Sequence, residues 1–545
     1  MVSHEQLFPR RIIGAFFTLA VLLAPAFGQA NGKKFYPDDP LLREPAPRPV
    51  KSVAKREVDD LYDFLDNSFV TPRREGKAAR QGPRPALDVN TLGDVPDNAW
   101  YTNRHYYHRM SIAELKRGPG NSTPPAAGTW RVTAAKTNGV TPGFVIEDER
   151  KNRYVLKLDP PQYPEMPSAA DIIGSKAFYA LGYNTPENYI VHFRRENLEI
   201  AQGVMAHDAS GRKHPLTDRM LNEMLRPQPK REDGTYRGMA SRLIAGDLAG
   251  PFSYEGTRSD DPNDTVPHED RRMLRGLAVF AAWLNHHDTK AINSMDSLVD
   301  ENGQRYLKHY LLDFGDILGS DGIRPKYAWS GNTYTVDGKD SLVGMVTFGF
   351  YLPRWARADY PNFTGVGRFD SWSFDPLDWK PNYPNPAFLL MDRGDAFWAA
   401  KQVAAFTDAE IRALVETGEY SDPRATEWVT DSLIKRRDKI ADAWFPKVVP
   451  LDKFGIVDNQ LTFEDLAAVR NSGAARQYQM RWASQDRNGR VTSLAGAAGR
   501  SVPPPGGDTE YVVATIEPSA DDPDPITVYI SAREKGFKVV GVDRR

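Results

Sequence analysis

The chain has 545 residues, with 70 Lys and Arg residues, 72 Asp and Glu residues and no cysteine. The net charge of -2 and the lack of a basic tract argue against a nucleic-acid-binding protein. The absence of cysteine excludes disulfide bonds and thiol catalysis, so core packing must hold the chain together. The length predicts two or more domains, or one large domain with extensions.

The N-terminus has the pattern of an export signal at 1–28. Arg10 and Arg11 precede an apolar run at 12–24, and small residues follow that suit a signal peptidase. The run is short for a transmembrane helix, so we expect cleavage, with a retained anchor as the alternative. No other run is apolar enough to span a bilayer. The mature protein is therefore expected to be periplasmic or extracellular, with no stable membrane span.

Residues 29–127 are rich in Pro, Arg and Asp and predict an extended N-terminal segment. One helix is predicted within it, at 58–69. The apolar side chains of this helix could pack on a neighbouring element: Leu61, Tyr62, Phe64 and Leu65. The rest is expected to wrap on the core or to be partly disordered.

Short β-strands are predicted from residue 128 onward. Residues 130–133 and 143–146 have the character of two strands, and the stretch between them, which contains Gly139 and ends before Gly143, is turn-forming. An ordinary hairpin turn is one interpretation of this stretch.

Residues 153–159 form a third predicted strand, which places Lys157 among apolar side chains. A lysine in such a place costs free energy unless a partner pairs with it. A position on an edge strand, with the ammonium group facing water, is the alternative.

A helix is predicted at 168–181, with Ser168 as its N-cap and Gly182 as its C-terminal stop. Asp171 stands three residues after Ser168, where it could complete a capping box and have a structural role alone. Further strands are predicted at 189–193 and 238–244.

The glycine-rich residues 245–252 are predicted to be a linker between two parts of the chain. Residues 257–264 carry several acidic side chains but lack the glycine and the closing glutamate of an EF-hand. A solvated turn before the next helix is therefore expected there.

Residues 271–320 carry the most informative chemical pattern. Apolar residues at steps of three and four predict an amphipathic helix of about four turns. It leads directly into His286-His287-Asp288, and Lys290 and Asn293 follow. A short buried strand at 310–312 then ends in Asp313-Phe314-Gly315.

The order of helix, H-x-D-x-K-x-x-N, strand and D-F-G resembles the catalytic core of the protein-kinase-like superfamily. By that resemblance, Asp288 is the catalytic base and Lys290 lies near the transferred phosphoryl group. Asn293 and Asp313 are the implied ligands of Mg²⁺ or Mn²⁺. From the residues alone, a metal centre made by His286, His287, Asp288 and His309 is an alternative.

The same resemblance implies that Lys157 holds the phosphates of ATP and that Gly139 and Gly143 belong to a nucleotide-covering loop, although the full GxGxxG pattern is absent. It makes Asp171 the helix carboxylate that pairs with Lys157. Glu165 is a second candidate for that pairing.

The implied fold is α+β and two-lobed, with a β-rich N-lobe at 128–245 and a mostly helical C-lobe at 246–454. A capping box that starts at Thr407 marks one helix of this second part. Residues 455–545 predict a small C-terminal appendage. It should contain a short helix from Thr462 and β-strands at 511–516, 526–530 and 537–542.

The resemblance implies an exported, ATP- and Mg²⁺-dependent phosphotransferase that acts on a hydroxyl group of an unknown protein, lipid or sugar. The helix that runs straight into the His-His-Asp segment is similar to the atypical branches, which include secretory-pathway protein kinases, phosphatidylinositol kinases and bacterial toxin kinases. Two alternatives stay open. One is a catalytically inactive pseudokinase that serves as a binding or scaffold module, and the other is a nucleotidyl transferase that attaches AMP.

Overall fold

The computed structural model describes residues 32–79, 82, 84–120, 124–135, 143–207, 212–337, 352–471, 477–518, 523–534 and 536–544. These residues form an α+β protein that combines mixed sheets with helices, as predicted. The expected export signal and the turn with Gly139 lie outside the described residues. Within the described ranges, no helix is both long and apolar enough to cross a membrane.

The N-terminal segment is helical over a longer stretch than predicted. Helix α1 (Asp60–Leu65), a π-helical turn (Asp66–Val70) and helix α2 (Thr71–Ala79) follow one another directly. Asp59 caps α1 by accepting a hydrogen bond from Tyr62 N at 2.9 Å. Helix α3 (Ile112–Arg117) lies further along the segment.

The apolar side chains of α1 do not all pack as predicted. Phe64 contacts Tyr383, with ring centroids 5.7 Å apart. The prediction is wrong for Leu61, Tyr62 and Leu65, which are 65%, 72% and 44% exposed. The reason is that this short helix lies at the surface and has no buried residue.

The first eight strands form a large sheet and a small ribbon. Their bounds are β1 (Trp130–Ala135), β2 (Gly143–Glu147), β3 (Arg153–Lys157), β4 (Asn188–Phe193), β5 (Leu198–Ile200), β6 (Met205–His207), β7 (Lys213–Pro215) and β8 (Tyr236–Arg242). The large sheet has the order β4-β8-β3-β2-β1-β5, and β6 pairs with β7. Because β3 lies between β2 and β8, the alternative that Lys157 sits on an edge strand is wrong.

Helix α4 (Met166–Ala180) begins before the predicted start, and the predicted N-cap is wrong. Glu165 precedes the helix in a left-handed backbone conformation (φ 72°), and Ser168 lies inside the first turn. Asp159 supplies the cap instead, because its carboxylate accepts hydrogen bonds from Glu165 N and Ser168 N, both at 3.0 Å. The capping group therefore comes from outside the helix, where local sequence spacing does not reveal it.

The predicted linker at 245–252 contains a strand. After helix α5 (Asp218–Leu225), strands β9 (Asp247–Gly250), β10 (Ser294–Glu301) and β11 (Gln304–Leu311) form an antiparallel sheet with β10 in the centre. Helix α6 (Arg272–Leu284) precedes β10 and is buried on nearly all sides. Its position agrees with the predicted amphipathic helix.

Residues 257–264 form the expected turn, but it is solvated only in part, because Arg258, Asp261 and Asp264 are buried. Arg258 is 1% exposed and lies 3.1 Å from the Asp296 carboxylate. Asp264 is also buried and pairs with Arg271 at 2.9 Å and with His268 at 2.8 Å. Asp260 and Asp264 therefore pair with buried cations, Arg258 and Arg271 respectively.

The following helices are α7 (Pro386–Leu389), α8 (Arg393–Ala404), α9 (Asp408–Glu416) and α10 (Pro423–Trp444). They share a large apolar core with α4 and α6. The predicted capping box is confirmed at α9, where Thr407 Oγ1 accepts from Glu410 N at 3.3 Å and Glu410 accepts from Thr407 N at 2.8 Å.

The C-terminal region contains a hairpin of β12 (Leu451–Val457) and β13 (Gln460–Asp465), followed by helix α11 (Leu466–Asn471). Thr462 lies in β13, so the predicted helix start is wrong. The remaining strands are β14 (Gln479–Asp486), β15 (Val491–Ser493), β16 (Thr509–Glu517), β17 (Ile526–Glu534) and β18 (Gly536–Arg544). They form one sheet in the order β15-β14-β16-β17-β18. The three predicted strands are confirmed as β16, β17 and β18.

The extended residues of the N-terminal segment wrap on the core, which was one of the two predicted alternatives. Val50 N donates to Arg305 O of β11 at 2.8 Å. Phe35 packs on Tyr511 of β16, with ring centroids 5.2 Å apart. The segment therefore contacts two separate sheets.

Candidate active site

A β-hairpin brings Asn293 and Asp313 to the same place. Ser294, the first residue of β10, pairs with Leu311, the last residue of β11. Asn293 precedes this pair and Asp313 follows it, so both side chains leave the open end of the hairpin. Leu312 N donates to Asn293 O at 2.9 Å and holds the two ends together.

Asp288 lies at the end of α6 and is held by several donors. The helix stops at Asn285, whose backbone is left-handed (φ 53°). Asn293 Nδ2 donates to Asp288 Oδ2 at 2.9 Å, and Lys290 Nζ lies 2.9 Å from Asp288 Oδ1. This arrangement brings together the three residues of the H-x-D-x-K-x-x-N pattern for which the sequence analysis predicts chemical roles.

Asn382 is a residue of this site that sequence reasoning missed. Its Nδ2 donates to Asp288 Oδ1 at 2.7 Å, and its backbone N donates to His287 O at 2.9 Å. It comes from the long stretch between Gly315 and α7, where no regular spacing in the sequence marks a functional residue. A sequence signal for its role is lacking in this chain taken alone.

Lys157 joins the large sheet to two carboxylates. Its Nζ lies 2.9 Å from Asp171 Oδ2 on α4 and 2.9 Å from Asp313 Oδ1 after β11. Asp171 is 3% exposed, and its second oxygen accepts from Asn188 Nδ2 at 3.0 Å. The capping-box alternative for Asp171 is therefore wrong, since its carboxylate faces Lys157.

Glu165, the second candidate partner of Lys157, points elsewhere. Its Oε2 accepts a hydrogen bond from Ser421 N at 3.0 Å. Of the predicted covering-loop glycines, Gly143 opens β2 and pairs in register with Lys157. Gly139 lies outside the described residues.

Phe314 packs against α4 and so fixes the position of Asp313, the residue before it. Its ring stacks on Phe178 with centroids 5.1 Å apart, and it is fully buried. A Cβ atom on Gly174 of α4 would lie 2.5 Å from Phe314 Cβ, so only glycine fits there without a shift. The close approach of α4 to Phe314 also brings Asp171 next to Asp313.

These side chains line one cleft with a volume of about 680 Å³. Its polar lining includes the predicted residues Lys157, Asp171, Asp288, Lys290, Asn293 and Asp313. Gly143 is not among the described residues that line it. Six of the eight predicted site residues thus line one cleft. Two of them come from 157–171 and the other four come from 288–313, so the fold brings distant parts of the chain together.

The charges of the cleft are set by mutual pairing. Burial alone would lower the pKa of Lys157, but the Asp171 and Asp313 carboxylates raise it above its usual range. Burial would raise the pKa of Asp288, but Lys290 and the Asn293 amide lower it. Both groups are therefore charged at neutral pH.

The two histidines beside Asp288 are neutral at pH 7. Burial, with a contribution from Lys326, lowers the pKa of His286 to about 4. Burial likewise lowers the pKa of His287 well below its usual value. Both rings are buried inside the protein.

The structure contradicts a metal centre made by the histidines. His309 Nδ1 lies 2.7 Å from Asp296 Oδ1, and its ring stacks on Trp100 with centroids 3.5 Å apart. Among the described residues, no three His, Cys, Asp or Glu side chains are grouped to hold a metal ion. A metal ion in the cleft would therefore need ligands of another kind as well.

No protein-family model matches the sequence, and no curated protein matches it. Similar solved structures include two crystal structures of the Golgi casein kinase, one of them with Mn and ADP bound. They are 8% and 10% identical to this chain, and each match covers 73% of it. The matches cover 94% and 95% of the compared chains, with a TM-score of 0.27 in both cases.

Proposed function

We propose that this chain is an exported phosphotransferase that transfers the terminal phosphoryl group of ATP to a hydroxyl group. The observation that carries the proposal is the meeting of Lys157, Asp171, Asp288, Asn293 and Asp313 around one cleft. Export is proposed from the N-terminal pattern at 1–28. The two-lobed arrangement, with lobes at 128–245 and 246–454, belongs to the same proposal.

Lys157 is proposed to bind the nucleotide phosphates. It is 20% exposed and lines the cleft, so its ammonium group is within reach of a ligand there. The Asp171 carboxylate keeps Lys157 protonated and directs it toward Asp313. Phosphoryl transfer depends on such positioning and charge neutralisation rather than on covalent help from the protein.

The residues present fit a divalent cation such as Mg²⁺ or Mn²⁺. Asp313 has a side chain that is 55% exposed, and Asn293 uses its Nδ2 on Asp288, which leaves its amide oxygen for another partner. Mg²⁺ prefers oxygen ligands and is commonly held by one or two carboxylates together with substrate phosphates. When bound, the ion would neutralise charge on those phosphates.

Asp288 is proposed to accept the proton of the acceptor hydroxyl group. The acceptor oxygen forms a bond to the terminal phosphorus of ATP, while the bond from that phosphorus to its bridging oxygen breaks and ADP leaves with the electron pair. Asn293 and Asn382 hold the Asp288 carboxylate from opposite oxygens. Its lowered pKa keeps it unprotonated at neutral pH, which this role requires.

The proposal is tested by a thermal-shift titration of the chain without residues 1–28, against ATP with and without Mg²⁺ or Mn²⁺, followed by assays of phosphoryl transfer. We expect a metal-dependent rise in Tm. Asp313→Asn should remove it, whereas the matched control Asp300→Asn, at an exposed site on β10, should not. Asp288→Asn should retain the shift but lose transfer by about 100-fold or more.

Outcomes of two kinds would contradict the proposal. An absence of any shift with nucleotide and metal would favour a binding or scaffold module. Transfer of AMP instead of phosphate to the acceptor would favour a nucleotidyl transferase, and isotope labels on the α- and γ-phosphates of ATP distinguish the two products.

A further inference from the structure

A second cavity, of about 230 Å³, adjoins the cleft. Lys290 lines both spaces and so marks where they meet. One wall of the smaller cavity comes from the N-terminal segment, at α1 and the π-helical turn. The opposite wall comes from the residues just after Asp288 and from the region around Tyr383.

Acidic side chains dominate this space, here called the acidic cavity. Its carboxylates belong to Glu57, Asp59, Asp63, Asp66 and Glu255. Lys290 is the one Lys or Arg among the described residues that line it, and it is already paired with Asp288 at 2.9 Å. Burial raises the pKa of Asp63 and that of Glu255, although Tyr383 donates a hydrogen bond to Asp63 and Arg74 pairs with Glu255.

A buried hydroxyl group gives a second, independent sign of a ligand. Thr289 lines the acidic cavity and is 5% exposed. In the part of the chain that the structure describes, its Oγ1 has no hydrogen-bond partner. A buried hydroxyl without a partner is uncommon in folded proteins, and a ligand with N–H donors would satisfy it.

Three aromatic rings complete the lining: Tyr62, Tyr254 and Tyr383. Carboxylates combined with tyrosine rings attract an organic cation, because the ring faces carry negative electrostatic potential. Lys290 Nζ already lies 5.9 Å from the centroid of Tyr383. A small metal ion would be a poorer fit, since among the described residues no three carboxylate or histidine side chains are grouped to hold one.

We infer that the acidic cavity binds a positively charged group of the acceptor, an ammonium or a guanidinium group, while the acceptor hydroxyl lies at Asp288. This inference rests on the proposed phosphotransferase function. It predicts an acceptor in which a hydroxyl group and an organic cation are close together. A serine or threonine peptide with a neighbouring Lys or Arg has this chemistry, and so does an amino sugar.

Direct binding measurements test the inference without requiring catalysis. The probes are two pairs: a serine hexapeptide with Arg or with the neutral isostere citrulline, and glucosamine or N-acetylglucosamine. With the chain without residues 1–28, calorimetry should show about tenfold tighter binding of the cationic member of at least one pair. The pair that shows the preference identifies the source of the cation.

Variants localise the effect to the acidic cavity. Glu57→Gln combined with Asp66→Asn should remove most of the preference, a change of about tenfold, because both carboxylates line the cavity. Both substitutions keep the side-chain shape, and an unchanged Tm would verify folding. Glu199→Gln, at an exposed site on β5, is the matched control and should keep the full preference.

Equal binding of cationic and neutral probes would overturn the inference, and so would an unchanged preference in the double variant. Transfer of phosphate to hydroxyl acceptors without any preference for cations would leave the proposed function standing and remove this inference. Cation binding at the acidic cavity without transfer to any acceptor would overturn the proposed function, and the bound cation would then not belong to an acceptor.

Discussion

Asn382 donates a hydrogen bond to the Asp288 carboxylate at 2.7 Å, although 94 positions separate the two residues in the chain. The bond falls on Oδ1, which also faces Lys290. Asn382 is further fixed by its own backbone bond to His287 O. The carboxylate proposed as the base is therefore oriented by two distant parts of the sequence.

Asn382→Ala should lower kcat by about tenfold, because Asp288 loses one of the donors that orient it. The KM for ATP should change little, since Asn382 is proposed to act on the acceptor side. Steady-state kinetics with varied ATP check both values. A rise in KM for ATP with an unchanged kcat would contradict this role and would assign Asn382 to nucleotide binding.

Lys157→Met should destabilise the fold by about 3 kcal/mol, because it leaves the buried Asp171 carboxylate without its cation. The double variant with Asp171→Asn should lose less free energy of unfolding than the sum of the losses in the two single variants. Urea unfolding of the four proteins in this cycle measures the coupling. The exposed pair Lys116 and Glu416 is the control, with an expected coupling of about 1 kcal/mol or less. If the losses of unfolding free energy at Lys157 and Asp171 were simply additive, the two side chains would not stabilise each other as an ion pair.

The buried ring of His286 should make the fold sensitive to mild acid. Its pKa is lowered from 6.5 to about 4, so between these values the unfolded chain takes up a proton that the folded protein does not. The free energy of unfolding should therefore fall by about 3 kcal/mol as the pH drops from 6.5 to 4.

His286→Gln should make that fall shallower, and urea unfolding at a series of pH values measures the slope. His108→Gln, at an exposed histidine, is the control and should leave the slope unchanged. A slope identical in wild type and His286→Gln would show that this ring is not the source of the acid sensitivity.

Gly174→Ala should displace Phe314 and destabilise the protein by about 1–3 kcal/mol. The added methyl group would lie 2.5 Å from Phe314 Cβ and 2.7 Å from Ile317 Cδ1. Nucleotide binding should weaken as well, because Asp313 precedes Phe314. Gly76→Ala in α2 is the control, since its Cβ would meet nothing within 4 Å. Equal effects of the two substitutions on stability and on nucleotide binding would show that the packing of Phe314 on α4 does not position Asp313.

Local patterns in the sequence predicted the elements whose signals are local. The apolar spacing of α6 and the Thr407 capping box both have counterparts in the structure. The order of Asp288, Asn293 and Asp313 along the chain also predicted that these residues lie in one site, and all three line the cleft. Their chemical roles stay predictions until binding and transfer are measured.

The features that sequence reasoning missed depend on contacts between distant residues. Asp159 caps α4 from outside the helix, and Asn382 contacts Asp288 although it lies 94 positions further along the chain. The acidic residues at 257–264 look solvated in the sequence, because nothing local indicates that Arg258 is buried among them. Such pairings follow from tertiary packing, which spacing and composition do not specify.

Asp60 makes helix α1 part of the cleft wall. Asp60 lies in α1, lines the cleft, and stands 3.6 Å from Lys290. A chain shortened to begin at residue 128, where the sequence predicts the first lobe, would lack this wall and the acidic cavity behind it. We expect such a fragment to be defective in acceptor binding even if it folds. The segment that composition alone marks as an accessory extension is thus a structural part of the site.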